Sequence, residues 1–170
     1  MAIALLLVSA GCSDGRNCAC FVIPPDQDDD DRPLLVRLAT LESDYAVGET
    51  ISVEVLIDEA ENVQSVAFHL LFDQDVIQYI LPAIEGPFLG SDGARTLLLS
   101  TETEDGGEVI VAMSRLGTGV GVDGSGLLLT FNFLAVSPGD CGFVFDGATV
   151  KDPSARDLGA HFASASVSVI

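Results

Sequence analysis

Residues 47–58, Val-Gly-Glu-Thr-Ile-Ser-Val-Glu-Val-Leu-Ile-Asp, and 66–77, Val-Ala-Phe-His-Leu-Leu-Phe-Asp-Gln-Asp-Val-Ile, decide the fold. In the first stretch Ile51, Val53, Val55 and Ile57 alternate with Ser52, Glu54, Leu56 and Asp58. In the second, Val66, Phe68, Leu70 and Phe72 alternate with Ala67, His69, Leu71 and Asp73. A period of two is that of a strand, whose successive side chains point to opposite faces. A strand with one apolar face must lay it on a second sheet, so the pattern predicts an all-β sandwich.

Working outward from these runs, nine strands are expected, near 34–41, 50–58, 64–72, 76–81, 95–101, 107–115, 126–136, 142–151 and 161–169. Turn residues separate most of them: Gly48, Pro82, Gly86-Pro87, Asp105-Gly106-Gly107, the glycine-rich run from Gly117 to Gly126, Pro138-Gly139-Asp140 and Asp152-Pro153. Beyond residue 34 there is no sustained helical periodicity; 73–76 and 154–158 could each form one turn of helix. Alternation assigns Ile51, Val53, Val55, Ile57, Val66, Phe68, Leu70, Phe72, Leu127, Leu129, Phe131, Phe133, Val167 and Val169 to the interior. At about 1.5–3 kcal/mol for each large apolar side chain buried, these suffice for a self-standing core.

The 170 residues have room for one domain and a short appendage. Aromatics are scarce at 6%, with no Trp and two Tyr, so the core is aliphatic with Phe filling, and platforms for stacking sugar rings are few. The formal charge of −19 argues against nucleic acid, because phosphate binding draws its affinity from basic side chains. The acidity reads as solubility outside the cell, with a basic partner or calcium as the alternative.

Residues 1–11, Met-Ala-Ile-Ala-Leu-Leu-Leu-Val-Ser-Ala-Gly, are an apolar run too short to span a bilayer as a helix. Small residues directly before Cys12, in Ser9-Ala10-Gly11-Cys12, have the form of a secretory signal with a lipoprotein cleavage box, Cys12 receiving the lipid. The chain would then sit in the cell envelope as an outer-membrane lipoprotein or at the extracellular surface, held by its lipid alone. An apolar terminus packed on the domain is the open alternative. Residues 12–33 carry Pro24-Pro25 and the acidic run from Asp26 to Asp31, which repels itself and reads as a flexible tether. The sandwich occupies 34–170.

Asp26, Asp28 and Asp30 have the spacing of a calcium loop, but Asp31 stands where the sharp turn needs Gly and Arg37 where the bidentate Glu belongs. That loop is rejected, which leaves at most a loose calcium contact, and the sequence calls for no cofactor. Cys18 and Cys20 are too close in sequence to pair without strain, so either could pair with Cys141. The cluster offers too few ligands for a metal site.

Catalytic chemistry finds little support. The two histidines, His69 and His161, lie in strands, and His69 has outward parity. No Gly-x-Ser-x-Gly elbow occurs. Glu102, Glu104, Asp105 and Glu108 flank a hairpin turn, whereas glycoside hydrolysis needs two carboxyls facing each other across a cleft. The run from Gly117 to Gly126 lacks the following helix that a phosphate cradle requires and reads as a loop. The chain is expected not to be an enzyme.

The segments Val47-Gly48-Glu49-Thr50-Ile51-Ser52-Val53-Glu54-Val55, Phe68-His69-Leu70-Leu71-Phe72-Asp73-Gln74-Asp75-Val76-Ile77 and Gly126-Leu127-Leu128-Leu129-Thr130-Phe131-Asn132-Phe133 resemble, in order and spacing, those of a cohesin domain. The resemblance implies a nine-stranded jelly-roll sandwich of the carbohydrate-binding superfamily, one flat sheet face of which grips a dockerin-like protein, in a setting of polysaccharide breakdown. Carried over strand by strand, it implies a docking face of Ser65, Ala67, His69 and Leu71 on the third strand, Leu98 and Ser100 on the fifth and Val111 on the sixth. Cellulosomal cohesins of the first type have Asn and Asp where Ser65 and Ala67 stand. Two alternatives remain: direct binding of a polysaccharide, for which Tyr45, Tyr79, Phe88 and Phe162 are the candidate aromatics, and a structural role in an envelope assembly.

Overall fold

The computed structural model describes residues 33–117 and 119–170. The expected signal at 1–11, the expected lipid site Cys12, the aspartate run of the expected tether and the cysteines Cys18 and Cys20 lie outside the described residues.

Eleven strands form two sheets: β1 (Leu35–Thr40), β2 (Asp44–Tyr45), β3 (Thr50–Val63), β4 (Ser65–Leu71), β5 (Ile77–Glu85), β6 (Arg95–Glu102), β7 (Glu108–Leu116), β8 (Val122–Ala135), β9 (Gly139–Lys151), β10 (His161–Ala163) and β11 (Ala165–Val169). One sheet has the order β10-β1-β3-β8-β5 and the other β2-β11-β9-β4-β7-β6. The all-β sandwich follows as expected. The strand number differs because β2 adds a two-residue edge and the expected last strand divides at Ser164. β10 pairs parallel with β1 in one sheet and β11 antiparallel with β9 in the other, so this segment closes the sandwich by changing layers. The only helical element among the described residues is a 3-10 turn at Phe88–Gly90, between β5 and β6.

Where alternation is strict the strands turn as their sequence dictates. Ile51, Val53, Val55, Ile57, Val66, Phe68, Leu70, Phe131 and Phe133 are all buried between the sheets. Phe131 meets Phe68 edge-on with ring centres 6.3 Å apart, and Phe133 contacts Phe72 at 5.0 Å and Phe143 at 5.2 Å. Leu127 departs from expectation. A bulge opposite Val55 and Leu56 inserts one extra residue in β8, so Leu128 and Leu129 are both wholly buried and Leu127 is only half-buried.

β3 and β8 continue past the expected strand ends, through two further irregularities, to the pair Val63 and Val122. Hence residues 122–126, read as loop from their glycines, are strand, and the connection proper is only 117–121. Asn62 takes φ 53° and bridges this connection, its amide donating to Asp123 Oδ1 at 2.6 Å and its Oδ1 accepting from the Gly121 amide at 2.9 Å. A Cβ at Gly121 would stand 2.1 Å from the Asn62 backbone, which is why only glycine fits there.

Phe68 and Phe131 hold the two layers together from opposite sides. Replacing either by Ala is expected to cost about 3–5 kcal/mol of unfolding free energy, measured by chemical denaturation; a loss below about 1 kcal/mol would contradict this packing.

Candidate functional site

Four adjacent strands of the six-stranded sheet, β9, β4, β7 and β6, present an outward face whose residues the register sets in rows. One row holds Lys151, Ser65, Ser114 and Leu97, and the next Thr149, Ala67, Ala112 and Leu99. Then come Asp146, His69, Ile110 and Thr101, followed by Val144, Leu71 and Glu108. Small side chains floor the centre. Ser65, Ala67, Ala112 and Ser114 lie between Leu97 and Leu99 on one side and Thr149 and Lys151 on the other, forming a shallow trough of about 340 Å3.

Of thirteen exposed large aliphatic side chains among the described residues, six stand on this face: Leu71, Leu97, Leu99, Ile110, Leu116 and Val144. Scattered exposed aliphatics are ordinary on a monomer, but a contiguous group marks an interaction surface. On the outward face of the other sheet the exposed aliphatics Ile80 and Ile84 lie on the edge strand β5 beside Asn132 and Thr130, and the middle strands are polar. There the Ser52 hydroxyl donates to Asn132 Oδ1 at 2.9 Å, the Arg37 guanidinium pairs with Asp58 at 2.6 Å, and Glu54 stands opposite Thr130.

Ser65, Ala67, His69 and Leu71 point outward as the alternation of β4 requires. Leu98, Ser100 and Val111 do not, and the expectation for them is corrected by one residue. Val111 is 1% exposed in the core, Leu98 packs against the core, and the Ser100 hydroxyl turns inward to accept from the Ala83 amide at 3.4 Å. Their neighbours Leu97, Leu99, Ile110 and Ala112 face out instead. Residues 97–99 are three leucines and residues 109–111 are Val-Ile-Val, so neither run carries a period from which the face could be read.

His69 is not simply solvated. Its Nδ1 donates to Glu108 Oε1 at 2.6 Å, so one of the hairpin carboxylates is held on the face. The hairpin otherwise closes as expected, with the Gly106 amide donating to the Thr103 carbonyl at 3.0 Å.

Arg115 was not anticipated. It lies on the inward parity of β7 beside Val111 and Met113 and is 2% exposed. Its Nη1 donates to the Leu89 carbonyl at 2.5 Å and its Nη2 to Asp92 Oδ2 at 2.6 Å, which ties the 86–94 connection to the end of β7. The hydrogen bond from Arg115, reinforced by the Ala94 amide, holds the Asp92 carboxyl below the usual range. An arginine on an apolar strand face is the sequence signal that could have revealed this anchor.

A second anchored carboxylate closes the connection after β9. Asp152 Oδ1 accepts from the Ser154 and Arg156 amides at 2.8 and 2.9 Å, and its Oδ2 accepts from the Arg156 guanidinium at 3.1 Å. The Arg156 amide chiefly, with the Ser154 amide and the Arg156 charge, holds this carboxyl below its ordinary value. Cys141 is a free thiol, wholly buried, and burial pushes its pKa up, so it is a poor nucleophile. The cysteines expected to compete for it, Cys18 and Cys20, are outside the described residues.

The aromatics that could stack a sugar are turned inward. Tyr45, Tyr79 and Phe88 are 7%, 8% and 4% exposed, and Phe162 packs its ring on Phe145 at 5.2 Å. Burial raises the Tyr79 phenol above its ordinary pKa, against the lowering influence of Ser100. No aromatic ring among the described residues is exposed. Nor do the described residues contain a group of three or more His, Cys, Asp or Glu placed to hold a metal ion.

Comparison with solved structures finds cohesin domains that share the fold of this sandwich. It is similar to a non-cellulosomal cohesin from the hyperthermophilic archaeon Archaeoglobus fulgidus, with a TM-score of 0.67 and 16% identity over 82% of this chain and 92% of that one. The second type II cohesin module from the adaptor ScaA scaffoldin of Acetivibrio cellulolyticus superposes with a TM-score of 0.69 and 16% identity, over 78% of this chain and 87% of the other. The sixth cohesin from scaffoldin B of the same organism, solved in complex with a dockerin, gives 0.67 at 15% identity over 82% and 100%. At these identities the likeness is one of fold. No protein-family model matches the sequence, and no curated protein sequence matches it.

The depressed Asp152 carboxyl has a signed consequence for stability. Its contribution is present above the unfolded-state pKa, near about 4, and is lost as pH falls through the lower folded-state value. The Asp152→Asn variant is expected to melt below the wild type at pH 7 by differential scanning calorimetry, with the gap narrowing as pH drops below about 4. A gap independent of pH would contradict a charged role for this carboxylate.

Proposed function

We propose that this chain is a non-catalytic docking module that holds a dockerin-type protein on the outward face of β9, β4, β7 and β6. The observation that carries the reading is where the exposed aliphatics concentrate: six stand together across four adjacent strands of one outer face, over a floor of Ser and Ala, whereas the other sheet exposes them only on its edge strand β5. Apolar side chains in a flat patch gain by being desolvated against a second protein, and a few of them near its centre supply most of the affinity. The fold supports the same reading, since solved cohesins that share it are in complex with dockerins. Direct grip on a polysaccharide finds no exposed Phe or Tyr ring among the described residues to stack on.

We further propose that the module is displayed at the cell surface through lipid on Cys12, with residues 12–33 as the spacer, close to polysaccharide breakdown. Support for the anchor is the small-residue box before that cysteine, and the setting is suggested by the scaffoldin origin of cohesins with this fold. Labelled palmitate should enter the wild-type chain in cells and be absent from Cys12→Ala; equal labelling of the two would overturn the anchor.

The docking claim is tested by isothermal titration calorimetry of the chain against the dockerin-bearing proteins encoded in its own genome. Binding at micromolar or tighter affinity is expected, and Leu99→Asp should weaken it at least about 30-fold while Leu41→Asp, on a loop away from the face, leaves it unchanged. Absence of binding at micromolar concentration, or equal effects of the two substitutions, would overturn the reading.

A further inference from the structure

We infer that the docking face reads the charge order of its guest: it takes an apolar segment with acidic groups at one end, over Arg95 and Lys151, and basic groups at the other, over Glu108 and Asp146. This rests on the docking reading above and adds to it the direction in which the guest lies.

The described residues contain five Arg and Lys side chains, Arg37, Arg95, Arg115, Lys151 and Arg156. Three are engaged within the fold: Arg37 with Asp58 at 2.6 Å, Arg115 with Asp92 at 2.6 Å and Arg156 with Asp152 at 3.1 Å. The remaining two, Arg95 and Lys151, make no ion pair among the described residues. Both belong to the docking face and both stand at the same end of it, Arg95 opposite Leu116 and Lys151 opposite Ser65. In a chain with 26 acidic residues, cations left unpaired beside an apolar patch are available to a partner. Asp92, three residues before Arg95, is held by Arg115 at 2.6 Å, and Asp157, whose backbone bridges to Lys151, accepts from the Gly159 amide at 2.8 Å.

The opposite end has the opposite sign. Glu108 closes the last row and Asp146 the one before it, with Glu104 and Asp105 at the adjoining hairpin tip and no Arg or Lys in either row. His69 stands between Glu108 and Asp146 and hydrogen-bonds the former. From Ser65 to Leu71 the two ends lie about 20 Å apart at 3.3 Å per residue. That exceeds the screening length of about 10 Å at moderate salt, so each end acts on its own part of the guest. A guest laid the wrong way round exchanges both attractions for repulsions.

The trough fits a helix. From β6 to β9 are three strand spacings, about 14 Å, against a helix diameter of about 10 Å, and a helix of about 13 residues covers the 20 Å between the charged ends. Alanine and serine on the floor allow its close approach, while Leu97 and Leu99 flank its apolar side.

Two hydrocarbon-stapled helical peptides of identical composition and the same leucine stripe test the inference. One carries its Glu residues at one end and its Lys residues at the other; the second alternates them along the polar flank. Measured by fluorescence anisotropy against the full chain in low salt, the segregated peptide is expected to bind at least about 10-fold tighter. That advantage should shrink in 0.5 M salt and vanish in the Arg95→Glu/Lys151→Glu variant, whose melting temperature is expected to stay close to that of the wild type because neither side chain is ion-paired among the described residues. Equal affinity of the two peptides, or a preference that survives the double substitution, would overturn the charge order alone. Binding of neither peptide at millimolar concentration would likewise overturn it, and the calorimetric titration with dockerin-bearing proteins then decides the docking reading separately.

Discussion

Phe131 and Phe133 of β8, pressed against Phe68 and Phe143 of the facing sheet, are the contact on which the rest of the molecule hangs. β3 and β8 form the middle of the five-stranded sheet, and β4 and β9 lie toward the middle of the other. The four phenylalanines therefore sit where both layers are fully flanked and no water reaches. Large rings at this depth bury more area per residue than the surrounding valines, and their contacts, edge-on between Phe68 and Phe131 and tilted between Phe133 and Phe143, fix the separation and offset of the sheets. Strands farther out inherit their position from that alignment. With the inner faces so committed, every side chain of opposite parity is left to the outside, and function has to be sought there.

The two outsides are built for different surroundings. On the five-stranded sheet the middle strands spend their exposed row on internal pairs, Ser52 with Asn132 and Arg37 with Asp58, and exposed aliphatics appear only on the edge strand β5, at Ile80, Leu81 and Ile84. On the six-stranded sheet the corresponding positions are alanine, serine and exposed aliphatics, with Arg95 and Lys151, which make no ion pair among the described residues, at one end and carboxylates at the other. Such a face leaves apolar area in water, a cost that folding does not recover and that a second protein can remove. Because the side chains ride on paired strands, the face is fixed before the partner arrives, so little order has to be imposed on binding.

The strand ends are secured by polar devices. Arg115 draws the 3-10 turn and Asp92 onto the end of β7, Asp152 gathers two amides and a guanidinium after β9, and Asn62 bridges to the connection before β8. In each, a side chain supplies hydrogen bonds that the backbone loses where a strand stops. Arg115 matters most to the face, because its neighbours Ser114 and Leu116 point outward from the same stretch of β7.

The sequence by itself determined the class of fold, most of the interior and half of the candidate face. Alternation in residues 51–57 and 66–72 can be met only by strands buried on one side, and it turned Ala67, His69 and Leu71 outward because the residues of the other parity are unmistakably apolar. Their grouping with Ser65 as a docking face came from the family resemblance. Tertiary structure alone decided the rest, since where both parities are apolar the period vanishes and pairing chooses the face. Thus β7 and its register turned Leu98 and Val111 inward and Leu97, Leu99 and Ile110 outward. The same holds for the bulge that buries Leu128 in place of Leu127, the division of the last strand between two sheets, and the gathering of Arg95 and Lys151 at one end. Each depends on residues far apart in the chain, and the local pattern carries no record of which distant strand will lie alongside.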